Sequence, residues 1–244
     1  MRRVLLTCVC LLLPRLVAAQ AAPAPPPRHE STGELAFVGT TGNSSTSTLS
    51  LAGDDIARSA PWLVRNRIAF VRNESGGALT AQSFLYAFRT ERTLRPRLSA
   101  FGEYDYFRDR FSGVANRNTI LGGVTYVLLD HSRQHLSVDG ALGYLNEDRL
   151  AGDDVSSGTF ATGALYDWKI SATASLTDEA RFTSAFDQAS NWRAHNIASV
   201  TARLTGLFSL KVSYTVRYQH LPPPGFKTTD TTTAIALVAK FTRQ

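Results

Sequence analysis

The sequence predicts an all-β protein, a single antiparallel up-and-down transmembrane β-barrel of about 12 strands. Three features lead there: an export-type amino terminus, a two-residue hydrophobic period over nearly all of the remaining chain, and runs too long for ordinary soluble strands. The chain has 244 residues, 43% hydrophobic, 10% aromatic and 19% charged, which excludes a disordered polymer.

Residues 1–20 read as a secretory signal peptide. Arg2 and Arg3 precede a short apolar run, Val4 to Leu13, and Ala18-Ala19 offers a small-residue cleavage site. The run is too short to cross a bilayer as a helix. Its removal leaves 23 of 26 basic residues against 20 acidic ones, so the net charge falls from +6 to +3. The basic balance is therefore weak evidence for a nucleic-acid partner, and none is expected. Cys8 and Cys10 leave with the same segment, so neither a disulfide framework nor a thiolate metal site is expected in the exported protein. Residues 21–32, which open Ala-Ala-Pro-Ala-Pro-Pro-Pro-Arg, read as an extended proline-rich periplasmic tether. Residues 33–244 form the barrel.

The period is clearest from Phe208 to Leu221. Phe208, Leu210, Val212, Tyr214, Val216 and Tyr218 alternate with Ser209, Lys211, Ser213, Thr215, Arg217 and Gln219. Soluble strands average about 5–6 residues, whereas a tilted membrane strand needs about 9–11. The same pattern recurs at 34–41, 46–57, 62–72, 79–92, 97–107, 117–129, 135–146, 158–170, 175–187, 191–205, 208–220 and 229–241. Strand starts are mostly about 13 to 20 residues apart, wider than the roughly 8–12 of a sandwich. Connections alternate between longer Gly/Asp/Pro-rich segments (Asn73 to Ala78, Arg108 to Asn116, Asn146 to Ser156, His220 to Thr228) and short turns (Arg58 to Pro61, Leu94 to Pro96, Ile170 to Ala174, Gly206-Leu207). Long loops at one end and short turns at the other are the outer-membrane pattern, and an even strand count puts both termini at the periplasmic end.

One parity of each strand suits lipid: Trp62, Val64, Ile68 and Phe70; Phe84, Tyr86 and Phe88; Leu98, Ala100, Tyr104 and Tyr106; Val200, Ala202 and Leu204. The other parity carries Arg65, Arg67, Glu103, Asp105, Asp139, Glu179, Arg181, Arg193, Arg203, Lys211 and Arg217, which suit a polar lumen. Tyr104, Tyr106, Tyr126, Tyr144, Trp168, Trp192, Tyr214 and Tyr218 are expected to form interfacial girdles. Periodicity alone also allows a soluble barrel with the apolar parity inside. Export, strand length, and Gly and Ala at apolar-parity positions favour the membrane version.

Several segments carry a family resemblance. They are Thr41-Gly42-Asn43 before a Ser/Thr run, Arg108-Asp109-Arg110-Phe111-Ser112-Gly113 with Arg117, Gly122, Gly123 and Tyr126, and Leu129-Asp130 with Leu136, Asp139, Gly140, Gly143 and Tyr144. The last are Leu210-Lys211-Val212-Ser213-Tyr214 with Arg217, and Pro223-Pro224-Gly225 with Lys227 and Thr229-Asp230-Thr231-Thr232. Together they resemble a family of salt-induced outer membrane proteins, a domain of unknown function in Gram-negative bacteria. The resemblance implies an outer-membrane barrel and carries no catalytic residues. One departure stands at the carboxyl terminus, where Thr242-Arg243-Gln244 follows Phe241 although outer-membrane strands usually close on an aromatic residue.

Candidate sites are few. His195 and Ser199 share a polar parity, but i, i+4 on a strand is about 13 Å, too far for a base to reach a nucleophile. Asp130, His131 and His135 flank a turn that could hold a metal, though an ordinary polar turn is the plainer reading. Glu147, Asp148, Asp153 and Asp154 could hold a hard cation or meet ions bridging lipopolysaccharide, against the plainer reading of an acidic outer loop. Inward charge suggests either an arginine-biased channel or a paired network that closes the lumen, with Arg193, Arg203 and Arg217 the residues of interest. No catalytic, cofactor or metal residue is assigned and no enzyme is expected. The expected role is structural or envelope-stress related, with a narrow diffusion channel for small polar or anionic solutes as the alternative and a lipid-modifying enzyme third. Expected partners are outer-membrane lipid, lipopolysaccharide and the barrel assembly machinery. A closed barrel has no free edge to force association, so the sequence sets no oligomeric state.

Overall fold

The computed structural model describes residues 27–40 and 46–243. The signal-peptide assignment and the Thr41-Gly42-Asn43 motif lie outside the described residues. Alternating residues build twelve strands: His29–Thr40 (β1), Thr46–Ser59 (β2), Trp62–Ser75 (β3), Ala78–Arg95 (β4), Leu98–Asp109 (β5), Val114–Asp130 (β6), Gln134–Arg149 (β7), Val155–Lys169 (β8), Ala174–Ala185 (β9), Trp192–Arg203 (β10), Phe208–Gln219 (β11) and Thr229–Arg243 (β12). Each pairs antiparallel with its sequence neighbours, and β1 pairs with β12 to close the barrel. The closing seam has seven register pairs, His29↔Arg243 to Leu35↔Leu237, against twelve between β1 and β2.

Two boundaries depart from expectation. Strand β1 begins at His29, inside the segment assigned to the tether, because its polar residues find partners: His29 and Ser31 meet Asp55, and Glu30 meets Lys240. Strand β9 stops at Ala185, earlier than the alternation suggests, and residues 186–191 form a loop. Asp187 accepts from Ser157 Oγ at 2.6 Å, and Asn191 N donates to Gln188 O at 2.8 Å, which turns the chain. At the carboxyl end Thr242 and Arg243 continue the ladder against Glu30 and His29, so pairing does not stop at Phe241.

The faces divide as the membrane reading requires. Phe37 is 68% exposed, Ile120 63%, Leu142 61% and Ile235 58%, all on the outer wall. A continuous apolar exterior of this kind is not a water-facing surface. The charged parity turns inward, which excludes the soluble barrel with an apolar interior. Trp62, Tyr126, Trp168 and Phe208 ring the end with short turns; Tyr106, Trp192 and Tyr218 ring the end with longer loops, where Trp192 stacks on Tyr218 at 4.8 Å. Tyr104 and Tyr214 depart from the girdle expectation: each lies mid-wall, halfway along a 12-residue strand. Polar groups on the wall are capped locally, as where Tyr104 and Tyr106 donate to Asn118 and Asn116 at 2.8 Å.

Leu142→Arg tests the face assignment. On a lipid wall it should cost about 2–4 kcal/mol near the bilayer midplane, read as a lower denaturant midpoint for refolding into lipid vesicles. A water-facing Leu142 would tolerate the change with no loss.

Candidate functional site: the lumen

Inward charges meet in three tiers. In the middle tier Asp54 on β2 binds Arg65 (2.5 Å) and Arg67 (3.3 Å) on β3. Arg67 then crosses to Glu179 on β9 through two parallel bonds of 3.0 Å. Strands β3 and β9 stand six apart in a ring of twelve, so this fork spans the lumen. Beside it Arg89 on β4 binds Glu91 and Glu103 at 2.6 Å, donates to Thr125 at 2.7 Å, and lies 3.5 Å over the Phe101 ring. Arg181 on β9 binds Glu103 on β5 and reaches Asp139 on β7 at 3.0 Å. Under these charges Phe101, Leu121, Ala141 and Ala161 form a small buried cluster on the inner wall.

The second tier lies at the loop end. Glu147 is fully buried and accepts from Arg117 (2.5 Å), Arg149 (2.7 Å) and Arg193 (3.0 Å). Arg117 on β6 also donates to Gln219 on β11 at 3.1 Å, which ties opposite walls together. Gln219 and Arg149 both donate to the Leu221 carbonyl, at 3.0 and 3.4 Å, and so hold the β11–β12 loop over this mouth. The third tier is nearer the turn end: Lys211 on β11 reaches Glu34 on β1 at 2.8 Å, across β12.

The β11–β12 loop closes the mouth by packing. Pro223 is fully buried. Gly113 follows a short 3-10 turn, Arg110–Ser112, that Asp109 caps by accepting from the Phe111 and Ser112 amides. A Cβ on Gly113 would lie 2.7 Å from Phe226 and 2.9 Å from Pro223, and its φ of +81° also disfavours a side chain. Gly152, φ +80°, faces Pro224 in the same way. The Arg-Phe-Ser-Gly and Pro-Pro-Gly segments that carry the family resemblance thus meet at one place, the loop-end lid.

The candidate residues fall as follows. His195 and Ser199 both point inward and do not meet. Ser199 Oγ donates to the Thr177 carbonyl at 3.4 Å, and His195 stands in register between Arg181 and Arg217. Asp130 and His135 lie 3.5 Å apart at the β6–β7 turn, and no group of three metal-capable residues forms among the described residues. The acidic quartet is dispersed: Glu147 faces three arginines inside, Asp148 accepts from Asn116 on the wall, and Asp154 accepts from the Arg149 amide. Arg193 belongs to the Glu147 lock. Arg203 donates to the Ala172 carbonyl and closes the β8–β9 turn onto β10, and Arg217 lies 5.5 Å over Phe107. Sequence reasoning assigned no role to Asp54, Arg89, Arg117 or Arg149. Each shares the inward parity of its strand, and opposite charge on facing walls was the available signal.

A family model described as a protein of unknown function, DUF481, matches residues 33–241. The chain belongs to the DUF481 family. Among solved structures this DUF481 protein is similar to the NanC porin (TM-score 0.51, 10% identity, covering 86% of this chain and 98% of that one). It is also similar to the translocator domain of the autotransporter NalP from Neisseria meningitidis (0.48, 11%, 89% and 88%). At these identities the likeness is one of fold, the outer-membrane-type barrel. No curated protein matches the chain.

Glu147→Gln should destabilise the barrel by about 3–5 kcal/mol, because it leaves three buried guanidiniums without their carboxylate. The readout is the temperature at which the folded, heat-modifiable gel band disappears. An unchanged temperature would show that Glu147 does not hold the lock.

Proposed function

We propose that this DUF481 protein is a structural or envelope-stress component of the outer membrane, a barrel closed at rest. The observation that carries the reading is the Arg67–Glu179 fork, which crosses the lumen between opposite strands. The Glu147 lock and the buried Pro223 close the loop end above it. The Glu147 carboxylate is fully buried and its pairs are screened little by salt, so the loop-end closure persists when ionic strength rises, which suits a response to salt. On this reading export runs through the amino-terminal segment. The apolar wall faces outer-membrane lipid and lipopolysaccharide, and the assembly machinery inserts the barrel. No catalytic role is assigned on this reading; His195 stands in register between Arg181 and Arg217, and the inward charges act as structural pairs.

A second reading is a narrow channel for small anionic solutes. The three arginines around a single carboxylate favour it, because opening the lock would leave a positive mouth.

Planar-bilayer recording separates the two. The unaltered protein should carry no steady current, in dilute salt or at about 1 M, where charges are screened within roughly 3 Å. The double variant Arg67→Ala, Glu179→Ala, together with deletion of residues 222–226, should produce discrete channel openings. Steady anion-selective current through the unaltered protein would overturn the closed reading and establish the channel.

A further inference from the structure

The end with short turns carries positive charge that the barrel itself does not neutralise. The connections there, residues 60–61, 96–97, 131–133, 170–173 and 204–207, contain no Asp or Glu. Charge gathers at the β4–β5 corner, Arg92-Thr93-Leu94-Arg95-Pro96-Arg97. Arg92 is in register with Trp62 on β3 and Ala100 on β5, both on the lipid wall, and its guanidinium lies 5.6 Å over the Trp62 ring. By simple alternation Arg95 would turn into the lumen. A bulge between Thr93 and Arg95 instead sets it opposite Leu98, itself paired with Tyr126, so Arg95 joins Arg92 on the outside. The corner is tied to its neighbours on both sides: Thr93 N donates to Pro61 O and Val127 N to Arg97 O, each at 2.9 Å.

The carboxylates around this corner are engaged elsewhere. Glu91 turns inward to Arg89 at 2.6 Å, Asp55 on β2 is met by His29 and Ser31, and Asp130 on β6 by His135 at 3.5 Å. Arg92, Arg95 and Arg97 are exposed and have no ion pair among the described residues. Trp62, Leu94 and Tyr126 beside them are half-exposed, at the level where an apolar wall meets headgroups. A guanidinium set at that depth without a protein counter-ion is matched by an anion of the membrane. Its planar fork suits phosphate oxygens, which it can hold through two parallel bonds. Arg92 and Arg95 are three residues apart on one strand, at most about 10 Å between Cα atoms, so both side chains can converge on one phosphate.

We propose that this corner is a binding site for an anionic phospholipid. Arg92 and Arg95 hold its phosphate, and Trp62, Leu94 and Tyr126 lie against its glycerol and upper acyl chains. The absence of acid sets the lipid class. A zwitterionic headgroup has the same phosphate but adds an ammonium, which meets three arginines here and no free carboxylate. The inference rests on the reading of the apolar wall as lipid-facing, and adds to it a place and a headgroup charge.

Lipid titration of the full-length exported protein tests this. The protein is extracted in mild detergent, and phosphatidylglycerol or phosphatidylcholine with the same acyl chains is added. Bound lipid is counted by native mass spectrometry, with folding checked by the gel shift. Phosphatidylglycerol should bind the unaltered protein more tightly than phosphatidylcholine. The double variant Arg92→Gln, Arg95→Gln should lower that preference roughly twentyfold, at roughly fivefold per arginine. Arg108→Gln is the control, since Arg108 pairs with Phe84 on the same wall at the opposite end and should leave the preference unchanged. Failure of the folded barrel to enter vesicles of either lipid would remove the lipid-facing reading and the site with it. Insertion without preference between the lipids, a preference that the double variant keeps, or one that Arg108→Gln lowers equally would overturn the site alone.

Discussion

Charge turned into the lumen has to be matched across the lumen, and the rest of the barrel depends on that matching. A guanidinium on β3 finds its carboxylate on β9, and one on β9 finds its carboxylate on β5. These contacts are the interior counterpart of a hydrophobic core, since apolar residues buried inside are few and mostly small. Burial costs an ion pair its hydration, and the cost is offset only where geometry is good and every donor is used. Two parallel bonds between Arg67 and Glu179 meet that condition. The three guanidiniums on Glu147 use the roughly four acceptor positions of one carboxylate, although Arg193 Nε stays buried without a partner. The interior therefore specifies which walls face each other, something the hydrogen-bond ladder of neighbouring strands cannot do.

The loop end extends the same logic from charge to shape. Glu147 gathers Arg117, Arg149 and Arg193, and two of these also bind the loop end, through Gln219 and the Leu221 carbonyl. The loop so anchored lays Pro223 and Phe226 on Gly113, where no side chain would fit. Electrostatic lock and steric lid are thus one assembly. Loosening one loosens the other, since both donors to the loop's Leu221 carbonyl belong to the lock: Arg149 is bound to Glu147, and Gln219 to Arg117. At the turn end closure rests on a shorter seam of seven register pairs, and the Lys240–Glu30 and Lys211–Glu34 pairs reinforce it from inside.

Strand number, order and facing were legible because the side-chain period of a strand is two and a lipid wall punishes error at every position. Phe208 to Gln219 shows this plainly. Strand ends were less legible. His29 to Thr32 carry no apolar alternation, and their pairing rests on Asp55 and Lys240, which lie distant in sequence. Asp187 and Gln188 hide a turn inside an alternating run. The inward parity of Arg67 and Glu179 could be read, but their pairing could not, because it depends on closure of the ring. The lid was legible only as two separate motifs. That Arg-Phe-Ser-Gly and Pro-Pro-Gly touch follows from the three-dimensional meeting of the β5–β6 and β11–β12 loops.

The two faces of the wall obey one rule under opposite solvents. Inside, a polar side chain without a partner can still find water or a neighbour across the lumen. Outside, it has only its own wall or, at the membrane edge, a lipid headgroup. The barrel respects this by placing a donor or acceptor of a neighbouring strand beside its outward asparagines: Tyr86 with Asn66, Tyr104 with Asn118, Tyr106 with Asn116 and Ser156 with Asn146. Asp178 follows the same rule within one barrel: Asn196 on β10 donates to it at 3.0 Å and Tyr166 stands in register with it on β8. A polar side chain on the lipid wall is thus kept within reach of a neighbouring strand, whereas an inward one can be matched across the whole lumen.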